Sequence, residues 1–477
     1  VNDLIRFLAP VAVLFILYFS FQNWRTSIKT VLVLVVVEGA LRKWFLPGAS
    51  QFIYFLKDIV LIGAYLRYYF FSPSENTFRI KGNPAAEALV ALILLLIAWS
   101  LFQAFNPSLG SPIIGIFGLR GYLLYIPLVW MLPNLFRSED ELYRFLRSYL
   151  LLVIPVGILA VLQFFSPPSS PLNVYTQDIE LDVATFGDPS SVNARVTGTF
   201  SYIAGYSVYV LISFGLAVPL LAVKQSQWWR WATIAELILI VATSFMNGSR
   251  GVIYTEFLFL VGFFGLQLLT TPAKVIALIR RFTVPIIAVT AGILIWFQSA
   301  FNAFEKRAAN NDDTSYRMTI LFTEPIDFVR LKGMDSYGVG ITHQATPALR
   351  QALDLPNPES IPVYYESEPG RIMLELGPLG FVMWYSLRLI LIFLLLNTFL
   401  KLKRPLLKQL ALSAFLLHLL LIISQLVFNH TLLVYYWFLA GFIFLLPKLE
   451  QIENQKKLEL LQQYNVSATY FPDTPYR

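Results

Sequence analysis

Long apolar runs leave this chain very few ways to fold. A helix that crosses a bilayer needs about 20 consecutive, mostly apolar residues, and about thirteen stretches meet that length. They are 4–22, 28–46, 51–70, 84–104, 113–133, 145–165, 200–222, 231–247, 251–270, 282–300, 371–399, 408–428 and 431–447. The runs are continuous, whereas the strands of a membrane β-barrel alternate in polarity. Of 477 residues, 57% are hydrophobic and only 14% charged, against about a quarter charged in an average soluble domain. Soluble and disordered chains are excluded together, and the expected fold is an all-α polytopic membrane protein. The first run lacks a small-residue cleavage site and reads as a span, not as a removed signal. Pro155, inside the sixth run, is tolerable as a kink within a bundle.

Orientation follows from the loops, because short cytoplasmic loops retain Lys and Arg. Alternate loops carry Arg25 and Lys29; Arg67, Arg79 and Lys81; Arg137 and Arg144; and Lys224 and Arg230. The series continues with Lys274, Arg280 and Arg281, then Lys401, Lys403, Arg404 and Lys408, and Lys456 and Lys457 in the tail. Intervening loops are short or acidic, as at Asp178, Glu180, Asp182 and Asp188. This alternation predicts an outside N-terminus, an inside C-terminus and an odd number of spans. The net charge of +7 then belongs first to cytoplasmic loops and gives no reason to invoke nucleic acid.

Four regions result. Residues 1–300 hold the first ten spans, with an external segment near 166–199. Residues 301–370 form an external loop subdomain or lid, with a helix expected around 314–331 and a Gly-rich turn at Tyr337–Gly340. Residues 371–447 carry the last three spans, and 448–477 a charged cytoplasmic tail. No internal repeat of the transporter kind is present.

The chain has no cysteine and only three histidines, His343, His418 and His430. Thiolate chemistry is excluded, and no metal or other cofactor is expected. His418 and His430 fall in or beside the last two spans, where structural hydrogen bonding fits. Trp24, Trp44, Trp130, Trp228, Trp229 and Trp231 lie near span ends, as interfacial belts do.

Charges on the outer side need a separate reason. Glu38 is spaced to pair with Arg42, and Lys57 adjoins Asp58, so these four read as internal salt bridges. Arg120, Arg195, Arg250 and Arg317 have no acid spaced locally to meet them, and Arg371 enters the eleventh span. Arginine holds phosphate bidentately and stays charged when desolvated. Several at one leaflet boundary would suit a lipid-linked pyrophosphate, a leaving group that cations alone can stabilise. In Asn247-Gly-Ser-Arg-Gly251, a break between two long helices would let backbone amides face an anion together with Arg250.

With those residues in view, the chain resembles the O-antigen ligase and O-antigen polymerase superfamily. The resemblance rests on Arg195-Val-Thr-Gly-Thr-Phe200 before a central span, Ser249-Arg-Gly251 at the outer end of a later one, and Tyr316-Arg-Met-Thr319 in the large loop. Gly338-Val-Gly340 and the closing Glu375-Leu-Gly-Pro-Leu-Gly380 complete the order. It implies a GT-C-like, metal-independent glycosyltransferase of the bacterial inner membrane, with its active site on the outer, periplasmic face. Such an enzyme takes glycan from undecaprenyl pyrophosphate and passes it to a hydroxyl of an acceptor glycan or lipid. Arg195, Arg250 and Arg317 would hold the pyrophosphate, with Arg120 and Arg371 beside them. Family members usually carry a His shortly before the closing Glu; here that place holds Glu366, within Glu366-Ser-Glu368. Glu366, Glu368 or the upstream His343 would then be the general base, and Tyr364 and Tyr365 could stack on sugar. The alternatives are an anion transporter of the bicarbonate-like kind and a catalytically silent envelope scaffold.

Overall fold

A computed structural model describes residues 2–71, 84–176, 182–186, 193–310 and 314–470. Arg79, Lys81, Asp178, Glu180 and Asp188 lie outside the described residues. The helices run in chain order as α1 (Asn2–Gln22), α2 (Trp24–Ala40), α3 (Ser50–Tyr54), α4 (Leu56–Leu66), α5 (Pro84–Ala104), α6 (Pro112–Leu123) and α7 (Leu128–Met131). Next come α8 (Glu139–Leu150), α9 (Val153–Phe165), α10 (Ile203–Ala222), α11 (Gln227–Asn247), α12 (Arg250–Thr270), α13 (Pro272–Trp296) and α14 (Gln298–Asn310). The last are α15 (Thr314–Lys332), α16 (Thr346–Leu353), α17 (Glu368–Lys401), α18 (Pro405–Leu420), α19 (His430–Ala440) and α20 (Phe442–Tyr470). Among the described residues the only β pairing is an isolated bridge between Thr185 and Ala194.

The protein is an all-helical, multi-pass membrane chain. Among the described residues nine helical stretches are long and apolar enough to cross a bilayer, several of them pairs of consecutive helices such as α8 with α9 and α19 with α20. The apolar runs 4–22, 28–46, 282–300 and 408–428 fall on α1, α2, α13 and α18. Of these, α18 is short, and α2 is interrupted by Arg25, Lys29 and Glu38. The most enclosed stretches are α10 and α19–α20, 78% and 89% buried, so they form the centre; α12, at 28%, faces outward.

Helix starts follow local chemistry. Ser138 caps α8 by accepting from the Glu141 amide, and Glu139, Asp140 and Glu141 fill the first turn, where the helix dipole favours negative charge. Asn429 caps α19 in the same way through the Leu432 amide.

α17 is not a straight span. Gly377 has φ +68°, a left-handed conformation that folds the chain back before Pro378. In a straight helix residues 368 and 388 would lie about 30 Å apart, yet Glu368 comes within 3.7 Å of Arg388. The segment Glu368–Leu376 is therefore the outer arm of a helical hairpin, and the apolar arm that enters the bilayer starts at Pro378. Arg371, expected at the head of a span, sits on the outer arm instead. Lid residues do not form a separate body: Phe328, Tyr337 and Ile341 share a small core with Leu109 and Ile114 of the α5–α6 region and with Met373 and Leu374 of the outer arm.

Contacts between loops sort to two ends of the bundle. At one end Lys29 meets Glu141 at 2.8 Å, Arg404 meets Glu139, and Lys448 reaches Asn134 at 2.5 Å. At the other, Arg42 reaches Ser201 at 3.1 Å, Trp44 the Pro171 carbonyl at 2.9 Å, and Gln425 the Glu366 carbonyl at 3.1 Å. The first end carries the Lys- and Arg-rich loops; the second carries the cations singled out above.

Candidate functional site

Neighbouring residues on a helix point in different directions, about 100° apart, so Lys57 and Asp58 cannot serve one another. In α4 they diverge: Lys57 Nζ reaches Glu38 at 2.6 Å, and Asp58 takes Arg120 of α6. Arg120 Nε donates to Asp58 Oδ2 at 2.6 Å, and Tyr125 donates to Oδ1 at 2.5 Å. All four residues read as internal salt bridges are in such pairs, Lys57 and Asp58 each with a partner on another helix, and Arg120, expected to lack an acid, has one. Glu38 with Arg42, at 3.7 Å, stands as read.

Arg120 also points Nη1 at His430 Nε2, 3.3 Å away, and His343 Nε2 lies 3.2 Å from the same nitrogen. Hydrogen-bond accounting fixes the tautomers. His343 Nδ1 accepts from the Ala345 amide at 3.1 Å, so its proton is on Nε2 and is given to His430 Nε2. His430 then carries its proton on Nδ1, which is buried and has no partner. Burial, then the Arg120 and Arg371 charges, push His343 down to about 4, so it is neutral near pH 7. The dyad therefore offers a donor. Its second member, His430, was expected to be structural; nothing in the spacing of two histidines 87 residues apart marks them as partners.

A second group of cations gathers at the break Asn247–Gly251. Arg195 Nε donates to the Asn247 carbonyl at 2.9 Å, and Arg307 Nε to the Gly248 carbonyl at 3.1 Å. These are terminal carbonyls of α11, the negative end of its dipole. The break also does something the sequence did not suggest: its carbonyls hold two guanidiniums. Gly248, at φ +68°, also makes the room, since a Cβ there would lie 3.0 Å from Arg195 Nε. Burial, then the Arg307 charge, with Arg317 adding to it, push Arg195 down to about 10. Among the described residues no carboxylate forms an ion pair with Arg195. Arg250 opens α12 immediately beyond. Arg307 was missed by the sequence reading because α14 carries no recognisable motif.

Arg317 of α15 meets Glu366 at 3.0 Å, with the two side chains 58% and 29% exposed. Glu368, two residues on, is fully buried, and one of its oxygens accepts from the Leu426 and Val427 amides at 3.0 and 3.2 Å. It is enclosed by the chain, unlike the partly exposed Glu366. Glu375 of the closing motif is likewise internal: it accepts from Tyr122 at 2.9 Å and from the Thr342 amide and hydroxyl at 3.0 and 2.8 Å. Gly340, at φ +89°, lies so close to α6 that a Cβ would sit 2.7 Å from the Ile114 carbonyl. Both motifs dock the lid on the helices and do not line a binding surface.

Arg371 lies over Phe428 at 4.8 Å and Tyr365 at 5.6 Å, with its Nε buried and unpaired. The loop 425–430 ties the two groups together, since Gln425 bonds Glu366, Phe428 stacks with Arg371, Asn429 reaches Ala204 at 3.4 Å, and His430 completes the dyad. Arg195, Arg307, Arg317, Arg371 and the histidines thus border one end of the bundle. Among the described residues no group of three His, Asp or Glu is placed to hold a metal ion. No protein-family model matches the chain, and no curated protein matches it.

Proposed function

We propose that the chain is a metal-independent membrane glycosyltransferase that moves glycan from undecaprenyl pyrophosphate to an acceptor hydroxyl. In this reading it is a polysaccharide or O-antigen polymerase or ligase of the bacterial plasma membrane, with about thirteen spans and its site on the outer face. One observation carries the reading: Arg195, held on a backbone carbonyl, lies in the field of Arg307 and Arg317. Like charges gathered in a partly buried place are unfavourable by themselves, and a multivalent anion relieves them. A pyrophosphate does so, and gains most as the glycosidic bond breaks and charge grows on its bridging oxygen.

The remaining residues then take roles. Pyrophosphate draws Arg317 away from Glu366, which frees the carboxylate at the mouth of the site. Glu366 takes the proton from the acceptor hydroxyl as that oxygen bonds the sugar carbon and the carbon–phosphate oxygen bond breaks. His430, its Nδ1 buried, holds His343 in place at the edge of the site. Arg120, matched by Asp58, keeps His430 oriented and does not hold the donor.

Purified protein in lipid, supplied with polyprenyl-pyrophosphate-linked glycan, tests this through release of free polyprenyl pyrophosphate. Arg195→Gln is expected to slow release by about a hundredfold or more, at unchanged abundance. Glycan polymer of normal length and amount in cells carrying Arg195→Gln and Arg317→Gln rejects the proposal. Accumulation of bicarbonate in proteoliposomes, lost on the same changes, assigns transport in its place.

A further inference from the structure

Below the outer site, the wedge between the two arms of α17 is lined by polar atoms that have no hydrogen-bond partner among the described residues. Glu368 Oε1 of the outer arm comes within 3.7 Å of Arg388 Nη1 of the spanning arm, and Glu368 Oε2 and the Arg388 Nε and Nη1 are all buried without such a partner. The Arg388 guanidinium lies 5.7 Å from the Tyr385 ring and 5.5 Å from the Tyr436 ring, and both hydroxyls are buried and unpaired. His418 of α18 stacks on Tyr436 at 4.2 Å with its Nε2 unpaired. Arg388 and His418 are each 1% exposed, and Glu368 equally so.

Buried polar atoms in folded proteins almost always have a partner, and each one left dry weakens the fold by about as much as a lost hydrogen bond. Six such atoms around one guanidinium, in the low-dielectric interior of a bundle, would together cancel much of the stability a domain has. Nor are Arg388 and Glu368 in close contact: 3.7 Å is too long for a hydrogen bond between them.

The donor count says what fits between them. Arg388 supplies two donors. His418 gives its Nδ1 proton to the Ala414 carbonyl at 2.8 Å, so its Nε2 is an acceptor. Glu368 Oε2 is also an acceptor, and the two tyrosine hydroxyls act either way. A simple anion would satisfy the donors, leave both acceptors empty and sit against a carboxylate. Water satisfies all of them.

We infer that the α17 hairpin encloses a hydrated polar chamber within the membrane bundle, in which bound water bridges Arg388, Glu368, His418, Tyr385 and Tyr436. The chamber is separate from the place proposed for the pyrophosphate. Because Glu368 also holds the Leu426 and Val427 amides, the water network supports the loop that carries His430.

Radiolytic hydroxyl-radical footprinting of the full chain in lipid nanodiscs tests the chamber, since radicals form from the bound water itself. Tyr149 is the internal control: it is 5% exposed, and its hydroxyl is engaged with that of Tyr435. Tyr385 and Tyr436 are expected to be modified at least about tenfold faster than Tyr149, as side chains in contact with internal water. His418→Phe, which removes one water partner and fills the floor, should slow modification at Tyr436; Glu368→Gln, which keeps hydrogen-bonding capacity, should leave it fast. Rates at Tyr385 and Tyr436 equal to that of Tyr149 overturn the inference.

Discussion

Cations at the two ends of the bundle are held differently. At the end with the basic loops, Lys29 and Arg404 close on Glu141 and Glu139 and tie neighbouring loops together. At the opposite end, Arg195 and Arg307 rest on two successive backbone carbonyls, and among the described residues no carboxylate pairs with Arg195. A carbonyl orients a guanidinium but leaves its charge in place. Positive charge at the first end ties loops together, and at the second Arg195 keeps its charge on a carbonyl. Arg120 belongs with the first group in spite of its position, because Asp58 neutralises it.

That assignment can be broken at Arg120, where the largest effect is expected. Its side chain is 11% exposed and that of Asp58 6%. Asp58→Ala leaves a buried guanidinium uncompensated, at a cost of about 3–5 kcal/mol. Thermal unfolding of purified protein should show this as a large drop, or as loss of folded material. Removing both charges in Asp58→Leu with Arg120→Met should recover most of the loss, because the isolated charge is then gone. If the double variant is as unstable as the single one, Arg120 has a role beyond its pair and belongs with the second group.

The dyad gives a pH test. His343 is pushed from 6.5 to about 4, facing His430, Arg120 and Arg371, so the unfolded chain binds the extra proton first. Its contribution is fully present above pH 6.5 and is lost as pH falls toward 4. The span of that loss corresponds to about 3 kcal/mol at most. Stability measured from pH 7 to 4.5 should fall less steeply in His343→Phe than in the unaltered chain. Equal slopes would mean that His343 titrates as an exposed histidine does.

Gly248 sharpens the comparison at the second end. Its φ of +68° costs an L-residue about 1–2 kcal/mol, and a Cβ would press on Arg195 and Phe186, each at 3.0 Å. Gly248→Ala should therefore lower the unfolding transition modestly while reducing pyrophosphate release far more than stability alone explains. Proportional losses would make the glycine merely structural.

How much of this was legible in the sequence follows from range. Apolar runs announce bilayer helices because the signal is continuous and local, and loop charge sorted the two ends for the same reason. Pairings across the bundle were not legible. Asp58 meets Arg120 from 62 residues away and Glu366 meets Arg317 from 49, and only the packing of helices determines which acid each cation finds. That the adjacent Lys57 and Asp58 turn to different partners is geometry that helix periodicity already contains. The hairpin at Gly377 was half visible in its Gly-Pro step, which signals a break but not its angle. Glu368 looked like a base because a carboxylate beside a motif carries no sign of burial.

The smallest effect tests whether distance or burial sets the worth of an ion pair, and α8 supplies both cases within one turn. Arg144 meets Asp140 at 2.7 Å, with the side chains 73% and 69% exposed. Arg147 meets Glu236 at the longer distance of 3.2 Å, with both side chains essentially enclosed. On distance alone Arg144 would matter more. Water and salt screen it, however, and ordering two long side chains offsets most of the attraction. Arg144→Ala should therefore shift unfolding by less than about 0.5 kcal/mol, and adding salt should erase even that. Arg147→Met should cost several times more, because it strands Glu236 in a dry environment. Equal shifts from the two variants would undo the distinction on which the comparison of the two ends depends, since proximity of an acid would then be enough to rank the cations wherever they lie.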